Sequence, residues 1–308
     1  MDATLANLGR LLQLGLPAAV GGACGALGLF AQPRQAVAVL NRYALYVGFP
    51  ALVAAGLLED TAVIPAAPAF WLLWPATLTV CLLIAWMLRA GPAAGLVLTF
   101  GNVAYLGLPY VLAVFGPALA GPAALAVAVH VTGAVTVGPV LLARAASGAR
   151  RSVLGAVLRL PLFWAPIVGL CGRQLPSTMR NAAVDALGPF AASAAPIALF
   201  LLGLHVYVER GRLTEAGRAA FGLLGARMLL SPTVAFLLAV AAVRLGWLDP
   251  ALAQVHVVLA GMPVAITTFS MAHDARVEAD RVAAAIVGSS LLATVMLPLW
   301  SALATAVL

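Results

Sequence analysis

The stretch Thr99-Phe-Gly-Asn-Val-Ala-Tyr-Leu-Gly-Leu-Pro-Tyr110 decides how the rest of the chain is read. It lies in an apolar run long enough to cross a bilayer, yet it carries Gly101, Asn102, Gly107 and Pro109, which a plain membrane anchor has no reason to collect. A counterpart stands at Leu259-Ala-Gly-Met-Pro-Val-Ala-Ile-Thr-Thr-Phe-Ser270. Proline has no N–H and clashes with the carbonyl one turn back, so Pro109 and Pro263 are each expected to unwind a helix near mid-membrane. Two such interruptions in corresponding positions of two halves are the pattern of a transporter's binding site.

Composition agrees. Of 308 residues, 64% are hydrophobic and 9% charged, against about 25% charged in soluble domains. The chain reads as an all-α polytopic membrane protein with no separate soluble domain. Its charge of +7 comes from arginine, for there is no lysine. These arginines sit at span ends rather than in an aromatic-interleaved patch, so no nucleic-acid partner is expected. Cys24, Cys81 and Cys171 form no C-x-x-C and read as small packing residues.

Apolar segments place ten spans at 9–30, 37–58, 66–89, 93–115, 120–143, 160–175, 186–208, 219–245, 251–273 and 281–307. The first resembles a signal peptide in length but lacks a basic start, and is read as membrane structure. With the N-terminus outside, the inner loops hold Arg34, Arg42, Arg89, Arg144, Arg150, Arg151, Arg159, Arg210, Arg212, Arg218, Arg276 and Arg281. The outer side keeps Arg10, Arg173, Arg180 and Arg244. This bias puts both termini outside a cytoplasmic membrane.

The halves echo one another. Each has a Pro-bearing second span (Phe49-Pro50; Ala195-Pro196), a third with interior Pro (Trp74-Pro75; Ser231-Pro232), an interrupted fourth and a fifth with a late Pro (Gly138-Pro139; Leu297-Pro298). Five spans is odd, so the second copy enters the membrane upside down. The organisation expected is two inverted five-helix repeats, 1–148 and 149–308, divided at the Arg-rich loop from Arg144 to Arg159, with broken, crossing fourth and ninth helices. The half-helices after Pro109 and Pro263 then begin near the midplane, and two positive helix ends favour an anion such as a carboxylate.

Polar residues inside spans are costly, so each is a candidate. The substrate-binding set expected is Asn102, Gly107, Pro109, Gly261, Pro263, Thr267 and Thr268. Asn102 either donates to a carboxylate or satisfies unwound backbone. Thr267, Thr268 and Ser270 either donate to substrate or bond back to their own helix. For His130 an interhelical hydrogen bond is expected, and proton relay is open to His130, His205 and His256. His205 and His273 are expected to be solvated near span ends, and Glu59, Asp60 and Asp185 to be interfacial. Arg227 is expected to snorkel to the inner interface beside Arg218 rather than to face an anion. Neither interruption holds a carboxylate and Asp274 comes after the second, so sodium is the less expected driving force, and membrane potential or a proton the more expected. No cofactor, metal or enzymatic activity is expected, because no nucleophile–base pair, ligand set or H-E-x-x-H is present.

Four motifs carry a resemblance. Leu40-Asn-Arg-Tyr-Ala-Leu-Tyr-Val-Gly-Phe-Pro50, Gly101-Asn-x-x-x-Leu-Gly-Leu-Pro109, Pro196-Ile-Ala-Leu-Phe-Leu-Leu-Gly-Leu204, and Gly261-Met-Pro-Val-Ala through Pro298-Leu-Trp300 are similar, in order, to the auxin efflux carrier family. Its plant members are the PIN proteins and its bacterial members are described as malate or malonate permeases. The resemblance implies a fold related to bile-acid and sodium–proton transporters, an elevator-like movement of a transport region against a scaffold region, and a homodimer. It also implies that Asn102 contacts the substrate carboxylate. Two features depart from the plant proteins: residues 66–88 contain no carboxylate, and the long cytoplasmic loop is missing. The function expected is alternating-access transport of a small organic carboxylate, auxin-like or a dicarboxylate such as malate. The alternatives are a cation–proton antiporter on the same fold and a membrane metabolite sensor.

Overall fold

The computed structural model describes residues 15–59, 64–143, 155, 158–211 and 217–308. Arg10, Asp60, Arg144, Arg150, Arg151 and Arg212, with the side chains of Pro139, Arg218, Ser270 and Asp274, lie outside the described set. Every regular element in that set is helical. Six helices are long and apolar enough to cross a bilayer, and further apolar helices are shorter. The chain is a multi-pass membrane protein.

It divides into two compact units, each drawing on both halves of the sequence. The first takes Met1–Val63, Ala104–Leu125 and Leu160–Arg210. Its helices are α1 (Gly15–Ala26), α2 (Pro33–Leu58), all but the first residue of α5 (Val103–Phe115), the start of α6 (Ala120–Ala143), α7 (Pro161–Gly172) and α8 (Ser177–Glu209). Lipid tails give no hydrophobic drive for helix association, so close backbone approach must supply the attraction. Accordingly, α1 meets α8 at Gly21 and Gly203, where an added Cβ would strike the carbonyls of Phe200 and Ala18 respectively. Gly169 of α7 also lies close to α2, where an added Cβ would come 2.8 Å from Leu57 Cβ and 3.2 Å from the Ala54 carbonyl. Arg173 donates from Nη1 to the carbonyls of Leu57 (3.0 Å) and Glu59 (2.9 Å), capping the end of α2.

The second unit takes Ile64–Val103, Ala126–Arg159 and Gly211–Leu308. It contains α3 (Pro68–Met87), α4 (Pro92–Thr99), most of α6, and α9, a continuous helix of Gly217–Gly225, Ala226–Leu230 and Ser231–Arg244. It also contains α10 (Pro250–Ala260), α11 (Ile266–Ala275) and α12 (Ala279–Val307). Asp249 starts α10 by accepting the Ala251 N–H at 2.8 Å, with Pro250 in the first turn.

Prolines act in two ways. The chain widens to π-helical turns at Ala44–Gly48, Val103–Gly107 and Ala226–Leu230. Each ends two residues before a proline: Pro50, Pro109 and Pro232. A wider turn moves the carbonyl that the ring would strike and releases the N–H that proline lacks, so the helix continues. Pro109 therefore does not unwind its helix. The interruption lies upstream, at Phe100–Asn102, because α4 stops at Thr99 and helix resumes at Val103. Pro263, in contrast, stands inside the gap between α10 and α11.

Candidate functional site

Within the second unit the two gaps pair with each other. Gly101 and Val264 form an isolated antiparallel bridge. The Asn102 N–H donates to the Pro263 carbonyl at 2.7 Å, and the Ala265 N–H donates to the Phe100 carbonyl at 3.0 Å. Backbone removed from a helix inside a membrane must find partners within the protein. Here each gap partners the other, and side chains take what remains. Ser289 of α12 accepts the Val264 N–H at 3.0 Å, and His130 of α6 accepts the Gly101 N–H through Nε2 at 3.1 Å. An accepting Nε2 puts the proton of a neutral imidazole on Nδ1. Trp74 packs on that ring, centroids 4.6 Å apart, and Gly133 gives it room.

Two helices also end at this crossing, leaving C-terminal carbonyls without intrahelical donors. Arg227 serves both ends. Its Nε donates to the Met262 carbonyl just beyond α10 at 2.8 Å, and Nη1 donates to the Leu98 carbonyl of α4 at 2.9 Å and to Ser231 Oγ at 3.2 Å. The side chain is 0% exposed. The sequence reading of Arg227 as a snorkelling residue is thus overturned: carbonyls at two helix ends hold its charge inside, where hydrogen-bond partners replace interfacial water. Nη2 occupies the space an alanine Cβ would take at Gly101, and has no hydrogen-bond partner among the described residues.

Asn102 is 2% exposed. Its backbone completes the bridge, while Nδ2 finds no partner among the described residues. The amide nitrogen therefore does not satisfy the unwound backbone. Pro263 supplies the carbonyl opposite Asn102, and Gly261 closes α10 through its N–H to Val257, 3.0 Å away. Thr268 is fully buried and gives its hydroxyl proton to the Ala265 carbonyl at 2.5 Å, the bond-back alternative. Thr267 is half-buried beside it. Gly107 and Pro109 belong to the first unit and are not among the residues gathered at this crossing.

Other polar residues complete the comparison. His205, expected to be solvated, is 5% exposed, because the C-terminal part of α8 packs inside the first unit. His256 is buried with its ring 4.7 Å from Phe70. In the first unit Asn41 Oδ1 accepts the hydroxyl proton of Tyr105, whose ring lies 5.3 Å from Phe49. Sequence reasoning missed Arg227 as a helix-end partner and Ser289 altogether. The available signal was Arg227 and Ser231 one turn apart in an apolar span, two polar groups able to satisfy each other.

Residues 149–301 match a family model described as membrane transport protein. No curated protein matches the chain. The matched segment contains Arg227, Pro263 and Ser289, which build one side of the crossing and its clasp, and the model that it matches is that of the auxin efflux carrier family of membrane transporters.

Proposed function

We propose that the protein is a secondary transporter that carries a small organic carboxylate across a cytoplasmic membrane by alternating access. The observation that carries this reading is the buried, unpartnered Nδ2 of Asn102 at a crossing of two interrupted helices. A polar group left unpaired at such depth is costly unless a ligand completes it. The amide donor suits a carboxylate, and the α11 N-terminus at Ile266 adds a positive helix end. Pro263, Gly261 and Thr267 shape the seat.

The arrangement proposed is ten crossings as two inverted repeats, 1–148 and 149–308, with both termini outside. Apolar helices shorter than a full span, together with the two gaps, support it. The division into two units that each draw on both repeats is in keeping with an elevator-like movement, and the resemblance alone is the ground for proposing a homodimer. Counterflow in proteoliposomes tests the activity. Vesicles loaded with an unlabelled carboxylate should accumulate the same labelled compound, and Asn102→Ala should abolish accumulation. Exchange of protons for cations without carboxylate uptake would instead favour the antiporter.

A further inference from the structure

We infer that Arg227 is the resident cation of the crossing: its guanidinium fills the place that a dissociable metal ion would take between the C-terminal ends of α4 and α10, and it leaves the site with one positive charge for an anionic group. The second half of this statement rests on the carboxylate reading above; the first does not.

Broken helices in transporters commonly hold a coupling cation on the carbonyls of half-helix C-terminal ends and unwound backbone. Here the corresponding carbonyls, Leu98 at the end of α4 and Met262 just past α10, already accept from Nη1 and Nε of Arg227. Each helix C-terminus carries about half a negative charge, so two of them offset one guanidinium. No carboxylate is among the hydrogen-bond partners of Arg227 in the described residues, so the helix ends and Ser231 are what hold it. Without Arg227, two helix C-termini and the helix starts at Val103 and Ile266 would leave the crossing close to neutral. With it, the C-termini are matched and the positive starts stand uncompensated. Nη2, the guanidinium nitrogen left over, lies against Gly101 and has no hydrogen-bond partner among the described residues. A buried guanidinium donor so placed fits one oxygen of an anionic group.

The test is thermal stability of detergent-purified protein in sodium and in choline salts of equal ionic strength, on the wild type, Arg227→Lys and Arg227→Ala. The wild type and Arg227→Lys should melt at the same temperature in both salts. Arg227→Ala opens both carbonyls and should be stabilised by sodium, or by millimolar guanidinium ion. Stabilisation of the wild type by sodium, or an Arg227→Ala protein that answers to neither cation, overturns the inference. Should Arg227→Ala fail to fold, the first two proteins still decide: indifference of both to sodium is required, and a response in either contradicts it. These readouts need no substrate, so their failure is separate from a failure of carboxylate binding. Where a carboxylate does bind, Arg227→Ala should weaken its apparent affinity about tenfold or more, as for loss of a charged hydrogen-bond donor.

Discussion

Two arginines in this molecule do the same thing at different depths. Arg173 caps α2 with one nitrogen and is half-buried at the end of α7. Arg227 caps two helices at once, is fully buried and retains a nitrogen without a described partner. Removing the first leaves carbonyls that water or headgroups can reach. Removing the second leaves carbonyls sealed inside, so identical chemistry has unequal consequences.

The largest effect should follow Arg227→Met. It removes two bonds to carbonyls worth about 1.5–3 kcal/mol each, and a sharp fall in melting temperature, or loss of the monodisperse peak in size-exclusion chromatography, is expected. Gly101→Ala comes next. Its Cβ collides with Nη2 and must displace a guanidinium held by three hydrogen bonds, with overpacking of about 1–3 kcal/mol. Melting curves of the single and double variants would show the coupling: Gly101→Ala should cost much less once Arg227 is Met. Arg173→Met should lower stability by about 0.3–1 kcal/mol, as for a charge at a helix C-terminus; a loss equal to that of Arg227→Met would erase the contrast. Pro109→Ala should be nearly silent in melting, because the π turn already accommodates the ring, whereas a large change would return the interruption to Pro109.

How much of this could be read from sequence follows from where each partner lies. Helical class and membrane character came from apolar runs and sparse charge. The gap at Pro263 was legible because proline has a definite backbone effect. The same residue type at position 109 has a different outcome, since Val103–Gly107 upstream widen into a π turn and the real gap depends on pairing with Val264. Asn102 was legible as a lone amide in an apolar span. Arg227 was not: its acceptors are backbone carbonyls 129 and 35 residues away, and a carbonyl has no sequence signature. The same reason hid Ser289, whose partner is the Val264 N–H. His205 failed for another reason: it lies one turn before the end of α8 at Glu209, but that end is itself packed inside the first unit.

The most direct test of the anion site is ligand-induced stabilisation across a panel of carboxylates, amines and simple cations, run in parallel on the wild type and Asn102→Ala. A ligand that binds only the folded state raises the melting temperature. A carboxylate is expected to stabilise the wild type, and the shift should vanish in Asn102→Ala while the unliganded melting temperature stays nearly unchanged. Stabilisation by cations alone, or a carboxylate shift that persists undiminished without the Asn102 amide, would contradict the account.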